Sequence, residues 1–359
     1  MAGNLYIMVG LSASGESSVA HEIAAREDAV IVSSDAIRGE LSGGNCADQS
    51  RTNEVFRIFN ERIRDGLSAG RTVIADATEL TMKARRSLLG GVGGLAQTVH
   101  VCIVVKNLEE CIRDNKLREF AVPEKVIRHQ VEGFQIPFYE EGFDEIMIYR
   151  ASKGQDHQLP GVFAMDSQSR VDGFAENSQS WADGFAENRQ SRIDGFAESR
   201  QSQMNGFAGG SQSRMDDFIE ECLHRMDGFD QKNPHHTLPL GEHCWFVAES
   251  FREKGYGELY YKAALLHDIG KLFTQQIDAE GVAHYISHDS VGAYYLLCQL
   301  PEEGFERTED LLEFLFLVNY HMLPFGWETE KTRHKWEQRL GADKKNLLLD
   351  FHECDCARV

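Results

Sequence analysis

The sequence predicts a multidomain protein with an amino-terminal α/β domain, an intervening repeat segment and a carboxy-terminal all-α domain. Three observations predict this. Apolar runs of strand length alternate with helical patterns over residues 1–150, an 11-residue unit recurs from about 161 to 229, and the pattern is helical from 233 onward. With 359 residues, the chain is long enough for two domains and a connector. We expect the boundaries at 1–155, 156–232 and 233–359.

The elements of the first domain follow from its apolar runs, and their alternation with helices indicates a parallel sheet. We predict strands over 5–9, 29–32, 72–75, 98–105 and 145–149. Proline suits the first turn of a helix, which supports the predicted start near Pro123. Helices are expected to begin near Glu16, Ser50, Met82, Leu108 and Pro123.

The middle segment repeats the pattern Asp-Gly-Phe-Ala-Glu, beginning at Asp172, Asp183 and Asp194. On a helix, an 11-residue period keeps each Phe and the apolar residue three positions before it on one stripe. A glycine in each unit opposes this, because it costs about 1 kcal/mol in a helix interior. Two interpretations stay open: an amphipathic helical spacer that docks on a partner, or a largely disordered tether. The Ser-, Gln-, Asn- and Gly-rich composition favours the tether.

In the last domain, apolar stripes at 244–251, 259–266, 291–300, 311–318 and 347–351 predict a helical bundle. The net charge of −20 argues against a generic basic nucleic-acid surface. Eight cysteines without a CxxC pair are typical of a reducing compartment. The first apolar run is too short for a membrane helix, so we expect a cytoplasmic protein without membrane contact. The oligomeric state is left open.

Between the first predicted strand and helix lies Gly10-xxxx-Gly15-x-Ser17, the context of a phosphate-binding loop. Gly10, Ser14, Gly15 and Ser17 are therefore the candidate nucleotide-binding residues. The loop amides and the helix N-terminus would face phosphates, and Ser17 would hold Mg²⁺. Glu16 stands where such loops have lysine, and exchanging attraction for repulsion costs on the order of several kcal/mol. ATP with Mg²⁺ is thus a doubtful cofactor.

Four further motifs of this domain point to the same family. With the loop, they resemble polynucleotide kinases over residues 4–150, which implies a P-loop kinase-like fold. By this resemblance, Asp35 activates a 5′-hydroxyl and Arg38 positions the acceptor phosphate. In the lid that would contact the donor phosphates, Asp114 stands where arginine is expected, so the donor side is degraded. The motifs are Ser34-Asp35-xx-Arg38, Asp76-Ala77-Thr78, Val122-Pro123-Glu124-Lys125-Val126-Ile127 and Glu141-Gly142-Phe143-Asp144-Glu145-Ile146.

The last third carries an ordered set of imidazole and carboxylate side chains on separate stretches. Bundles build metal sites from side chains on facing helices. Such ligands suit a divalent transition metal, here Mn, Co, Ni, Fe or Cu. The candidate ligands are His243, His267, Asp268, His288, His321 and Asp355.

The order of these residues, together with the string Leu265-Leu266-His267-Asp268-Ile269-Gly270-Lys271, resembles the HD-domain phosphohydrolases over most of 235–359. The resemblance implies two ions, which would lower the pKa of a water molecule and neutralise phosphate oxygens. Asp268 would be the catalytic, bridging carboxylate, and Lys271 would neutralise phosphate charge or end the helix in solvent. The first ion would be held by His243, His267, Asp268 and Asp355, and the second by Asp268, His288 and His321.

Both resemblances together predict a metal-dependent phosphohydrolase that acts on nucleic-acid ends or nucleotides, joined to a kinase-like domain impaired by Glu16. Bacterial end-healing enzymes combine such modules. One alternative is a bifunctional 5′-kinase and phosphatase, in which Lys83 or Arg86 replaces the missing lysine. Another is a non-catalytic nucleotide-sensing scaffold whose repeat segment binds a partner. His236 is expected to be a surface residue, with contact to the substrate as the alternative.

Overall fold

The computed structural model describes residues 2–150, without 46, 47 and 49, and residues 214–357, without 235, 237, 302 and 303. Its first part is a five-stranded parallel sheet in the order β2-β3-β1-β4-β5. The predicted strands are confirmed, each to within one residue at either end. The strands are β1 Leu5–Gly10, β2 Val30–Ser33, β3 Val73–Asp76, β4 Val99–Val105 and β5 Glu145–Arg150.

Six α-helices among the described residues connect these strands. The five predicted starts are confirmed to within two residues, and α2 is an additional helix directly after β2. Because the strands are parallel, the residues that follow β1, β2 and β3 meet at one edge of the sheet. This edge holds the phosphate loop, Asp35 and Asp76. The helices are α1 Glu16–Glu27, α2 Ser34–Leu41, α3 Thr52–Ser68, α4 Met82–Val92, α5 Leu108–Asn115 and α6 Glu124–Glu132.

The second part is helical, as predicted, with one two-stranded antiparallel hairpin, β6 Gln276–Ile277 and β7 Ala283–His284. The longest helix, α13, is kinked at Gly341, where φ is 77°. None of the described helices combines the length and the apolarity needed to cross a membrane. The helices are α7 Arg214–Met226, α8 Leu240–Glu253, α9 Glu258–Leu265, α10 Lys271–Thr274, α11 His288–Gln299, α12 Thr308–Tyr320 and α13 Glu330–Cys356.

Helix α7 lies within the range expected for the linker, 156–232. Its buried stripe of Met215, Ile219, Cys222 and Met226 packs on the second part of the protein, where α7 contacts α8. The Asp216 carboxylate adds an ion pair of 2.7 Å with Lys262. The tether interpretation is therefore wrong for residues 214–226, because this copy of the repeat carries enough apolar side chains to bury a helix face. The units that begin at 172, 183 and 194 lie outside the described residues.

The candidate metal centre and the phosphate loop

Asp268 lies at the centre of the imidazole cluster and is 2% exposed. One carboxylate oxygen, Oδ2, is 3.6 Å from His243 Nε2 and 3.3 Å from His267 Nε2. The other oxygen, Oδ1, is 3.0 Å from His288 Nε2 and 3.6 Å from His321 Nε2. A single carboxylate therefore faces two pairs of imidazoles, one pair with each oxygen.

Two compact groups of ligand atoms result, one on each side of Asp268. In the first group, Asp355 Oδ1 lies 3.1 Å from His243 Nε2 and 3.7 Å from His267 Nε2. In the second group, the Nε2 atoms of His288 and His321 are 3.2 Å apart. Within each group the ligand atoms lie within 4.8 Å of one another, close enough to share a metal ion. All six predicted ligands are thus brought together.

Five elements position these side chains. His243 is on α8, His288 is the first residue of α11, and His321 directly follows α12. The His267-Asp268 pair does not terminate α9, which ends at Leu265, but lies in the turns that follow it. Asp355 is in the last turn of α13.

A glycine allows the turn after Asp268 to approach α11. A Cβ at Gly270 would lie 1.9 Å from the carbonyl oxygen of His288. Real Cβ atoms do not come that close to backbone, so any side chain would push the turn and α11 apart. The glycine in the His-Asp-Ile-Gly string is therefore required by the close packing of two ligand-bearing segments.

Backbone carbonyls orient three of the imidazoles. The Nδ1 atoms of His267, His288 and His321 lie 2.8 Å from the carbonyl oxygens of Ala264, Tyr285 and Val318, respectively. These contacts fit an Nδ1–H donor, which leaves the Nε2 lone pair directed at the cluster. Imidazoles that bind metals are commonly held in this way.

The electrostatics of the centre suit cations. Burial would raise the pKa of Asp268, but Lys271 and His267 hold it well below its ordinary value. The pKa of Asp355 is also lowered, because the neighbouring imidazoles of His243 and His267 outweigh its burial. Both carboxylates are therefore ionised. His267 Nε2 is buried and makes no hydrogen bond within the described part of the chain. This donor set fits a divalent transition metal.

Lys271 does not end its helix in solvent, so that expectation is wrong. Its side chain is 5% exposed, and its Nζ lies 2.7 Å from Asp268 Oδ2. The ammonium also donates to Gln231 Oε1 at 2.9 Å. The lysine therefore faces the same carboxylate oxygen as the first group of ligands.

The sequence suggested that His236 is a surface residue, but its side chain lies beside the metal centre. Its Nε2 is 3.4 Å from Lys271 Nζ, and its ring centroid is 5.8 Å from that of His243. Burial, reinforced by Lys271, lowers the pKa of His236 to about 4. Its closeness in sequence to the ligand set was a usable signal. Gln231, by contrast, had no sequence signal as a residue of the centre.

The phosphate loop has the expected backbone. Gly15 adopts a φ of 106°, and a Cβ at Gly10 would lie 2.6 Å from Ser14 Oγ, so neither position suits a larger residue. Ser17 Oγ lies 3.4 Å from Asp76 Oδ2 at the end of β3. The structure thus places all four predicted loop residues together with an aspartate suited to hold Mg²⁺.

Glu16 turns back over this loop. Its Cγ would lie 2.9 Å from a Cβ at Gly10, and its Oε1 is buried without a hydrogen bond among the described residues. Burial, and then the carboxylates of Asp76 and Asp35, raise the pKa of Glu16 well above its ordinary value. The carboxyl group is therefore held next to the other acids in a form that favours protonation.

No loop lysine replaces Glu16 directly. Among the described residues, Lys106 approaches the loop, but its Nζ contacts the carbonyl oxygen of Ala13 at 3.3 Å and pairs with Asp114. The amide of Ser12 is also occupied, because it donates to Gln130 Oε1 at 2.9 Å. An acid, Glu16, therefore stands at the position where phosphate loops have the cation that faces the terminal phosphates.

The predicted acceptor pair forms a contact. Arg38 Nη1 lies 2.6 Å from Asp35 Oδ1 on the first turns of α2. The arginine side chain is 9% exposed and that of Asp35 is 57% exposed, so the carboxylate is open to a substrate. Lys83 and Arg86 lie on α4, where Arg86 acts electrostatically on Glu141.

Comparisons with known proteins agree with this division. Residues 5–137 match the AAA domain family, and residues 240–355 match the HD domain family. The chain therefore carries a kinase-like P-loop domain and an HD domain. A comparison with curated proteins finds no match.

Several solved structures are similar to part of the chain. One is the Pnkp1/Rnl/Hen1 RNA repair complex, with 22% identity and a TM-score of 0.35, over 44% of this chain and 51% of that chain. Another is a sugar kinase from Janibacter sp., with 19% identity and a TM-score of 0.32, over 42% and 86% of the two chains. A gluconokinase from Sinorhizobium meliloti has 19% identity and a TM-score of 0.32, over 43% and 85%. The match spans about half the length of the repair-complex chain.

Proposed function

We propose that this chain, which joins a P-loop domain to an HD domain, is a metal-dependent phosphohydrolase acting on nucleic-acid ends or nucleotides. One observation carries the proposal: the two oxygens of Asp268 face two separate groups of imidazoles. When bound there, a pair of divalent ions supplies Lewis acidity toward a phosphoryl group and lowers the pKa of water.

The protein's own residues have separate tasks in this proposal. Asp268 would offer one carboxylate oxygen to each ion position, and Asp355 would add a second carboxylate to the first position. The backbone contacts of His267, His288 and His321 keep Nε2 directed inward. Lys271, which lies 2.7 Å from Asp268 Oδ2, would neutralise charge on a phosphate oxygen.

The P-loop domain supports a nucleic-acid end or nucleotide as the substrate class. The Asp35–Arg38 pair is positioned at the carboxyl edge of the sheet, where ligands of such folds bind. The donor side is different, because Glu16 stands where such loops have the lysine that attracts the terminal phosphates of a triphosphate. We therefore propose a domain that grips a phosphorylated end without transferring phosphate from ATP.

The hydrolase proposal is tested by metal analysis and by hydrolysis of bis-p-nitrophenyl and p-nitrophenyl phosphate with each divalent metal. We expect Asp268→Asn to abolish hydrolysis and to lower the bound metal. His284→Gln is the matched control, because His284 is an exposed histidine of the same domain that pairs with Asp278. Wild-type protein without metal, or hydrolysis that persists in Asp268→Asn, would contradict the proposal. Oligonucleotides with 2′-, 3′- or 5′-phosphates then define the substrate.

The kinase side is tested separately with ATP and a 5′-hydroxyl oligonucleotide. We expect no phosphorylation by the wild-type protein, and measurable ATP binding only in Glu16→Lys. Phosphorylation by the wild-type protein would instead establish the bifunctional alternative.

A further inference from the structure

The two histidines of the second ligand group share a property that those of the first lack. His288 begins α11 and His321 follows α12, and both helices dock onto the P-loop domain. In contrast, α8, which carries His243, packs against α7, α9 and α13 of its own domain. The second group is therefore held between the two domains.

The residues just before His321 make the closest of these contacts. Asn319 Oδ1 accepts from the amide of Ile136 at 2.6 Å, and Asn319 Nδ2 donates to the carbonyl oxygen of Phe134 at 3.1 Å. The hydroxyl of Tyr320 donates to the carbonyl oxygen of Ile136 at 2.9 Å. All three hydrogen bonds are buried, so the end of α12 is fixed to residues 134–136.

Residues 134–136 are themselves anchored in the P-loop domain. The amide of Gln135 donates to the carbonyl oxygen of Leu80 at 2.9 Å, and Gln135 Oε1 accepts from the amide of Met82 at 2.9 Å. The fully buried Arg85 donates to the carbonyl oxygen of Gln135, also at 2.9 Å, while pairing with Glu141. This segment is consequently a rigid support and not a loop that follows α12.

Helix α11 is tied to the same domain near the phosphate loop. The hydroxyl of Tyr294 donates to the carbonyl oxygen of Lys106 at 2.7 Å, and its ring packs edge-on against Phe134, with centroids 5.1 Å apart. The side chain of Lys106 in turn contacts Ala13 in the phosphate loop. Both histidines of the second group thus lie on elements whose positions depend on the P-loop domain.

We infer that the P-loop domain completes the second ion position, with Asn319, Tyr320 and Tyr294 as positioning residues for His321 and His288. This inference rests on the proposed two-ion site. The imidazoles can share an ion only while the two helix ends hold their Nε2 atoms at the 3.2 Å separation. Loss of the domain contacts made by α11 and α12 should weaken binding of the second ion and leave binding of the first unchanged. Helix α8, which carries His243, packs within its own domain, and Asp355 lies eleven residues beyond Lys344, where α13 contacts Glu140 of the P-loop domain.

The test is a calorimetric titration of the metal-free full-length protein with Mn²⁺, comparing wild type with Tyr294→Phe/Tyr320→Phe. These changes remove two hydroxyl groups and leave the rings in place. We expect the wild type to bind two ions and the double variant to bind the second about tenfold or more weakly, a typical effect of losing support for a metal ligand. The affinity for the first ion should not change.

Tyr139→Phe is the matched control. The Tyr139 hydroxyl donates to Glu309 at 3.3 Å, so it also links the domains, but at the other end of α12, about 18 Å along the helix from His321. We expect this variant to bind both ions as the wild type does. A general loss of stability would weaken the binding of both ions to the double variant, and that outcome would overturn the inference.

The remaining outcomes are also decisive. If the double variant does not fold, Tyr320→Phe alone carries the test with the same expected selectivity. The inference is refuted if the double variant binds the second ion as tightly as the wild type does, or if the wild type binds one ion only. Two bound ions without hydrolysis would contradict the proposed function, whereas the titration of the variants would still decide the inference.

Discussion

The charge state of Glu16 gives a prediction that can be worked from the structure. Its pKa is raised well above the ordinary value of 4.5 by burial and then by the carboxylates of Asp76 and Asp35. Between 4.5 and the raised value, the folded protein binds a proton that the unfolded chain releases. The stabilising contribution of the protonated form is therefore lost as the pH rises through this window.

We expect Glu16→Gln to remove this dependence, because glutamine keeps the shape of the protonated side chain and cannot ionise. One titrating group limits the difference in slope between wild type and variant to about 1.4 kcal/mol per pH unit. The variant should therefore gain stability relative to the wild type as the pH is raised from 5 to 8.

The assay is urea denaturation at a series of pH values, followed by far-UV circular dichroism. Tryptophan fluorescence would not report on the P-loop domain, because all four tryptophans follow residue 180. Glu22→Gln on the exposed side of α1 is the control and should run parallel to the wild type. Parallel curves for the wild type and Glu16→Gln over this range would refute the reasoning.

Three further predictions concern stability and metal. Arg85→Met should cost about 3–5 kcal/mol in urea denaturation, because it leaves the buried Glu141 carboxylate unpaired; Arg85→Met/Glu141→Leu should recover much of this loss. Gly270→Ala should destabilise the HD domain by at least about 2 kcal/mol and weaken Mn²⁺ binding, because its Cβ would lie 1.9 Å from the His288 carbonyl oxygen. A variant that unfolds like the wild type, as followed by tryptophan fluorescence, and binds Mn²⁺ with the wild-type affinity would contradict this. Chelation of the bound metal should lower the free energy of unfolding of the HD domain. The expected loss is about 4 kcal/mol, compared with protein at a free metal concentration a thousand times the Kd. An unchanged midpoint of urea denaturation would show that the metal does not stabilise the fold.

Much of the fold was predictable because it depends on local patterns. The alternation of apolar runs and helical segments located all five strands to within one residue. The Gly10–Ser17 spacing located the phosphate loop, since glycine at such positions serves a backbone requirement that shows in the sequence. The six candidate metal ligands were recognisable because their residue types and order are unusual together.

Other features could not be read from local patterns. The packing of α7 was missed because only some copies of the repeat carry apolar residues at all the buried positions of a helix. The burial of Lys271 was left open by the sequence because a lysine one turn beyond a helical segment commonly points to solvent. Gln231 has no pattern of its own and becomes significant only through its contact with Lys271.

By itself, the sequence determined the two domain types, the five strands of the parallel sheet and the identity of the candidate ligands, because periodicity and spacing are encoded within short stretches of chain. Only the tertiary structure decided that the oxygens of Asp268 face different imidazole pairs and that Glu16 is buried over its own loop. It also decided that Asn319 binds the backbone at Ile136, a contact between residues 183 positions apart. The physical reason is that burial and pairing depend on which distant segments come into contact, and the local sequence of a segment does not show which other segment it will contact.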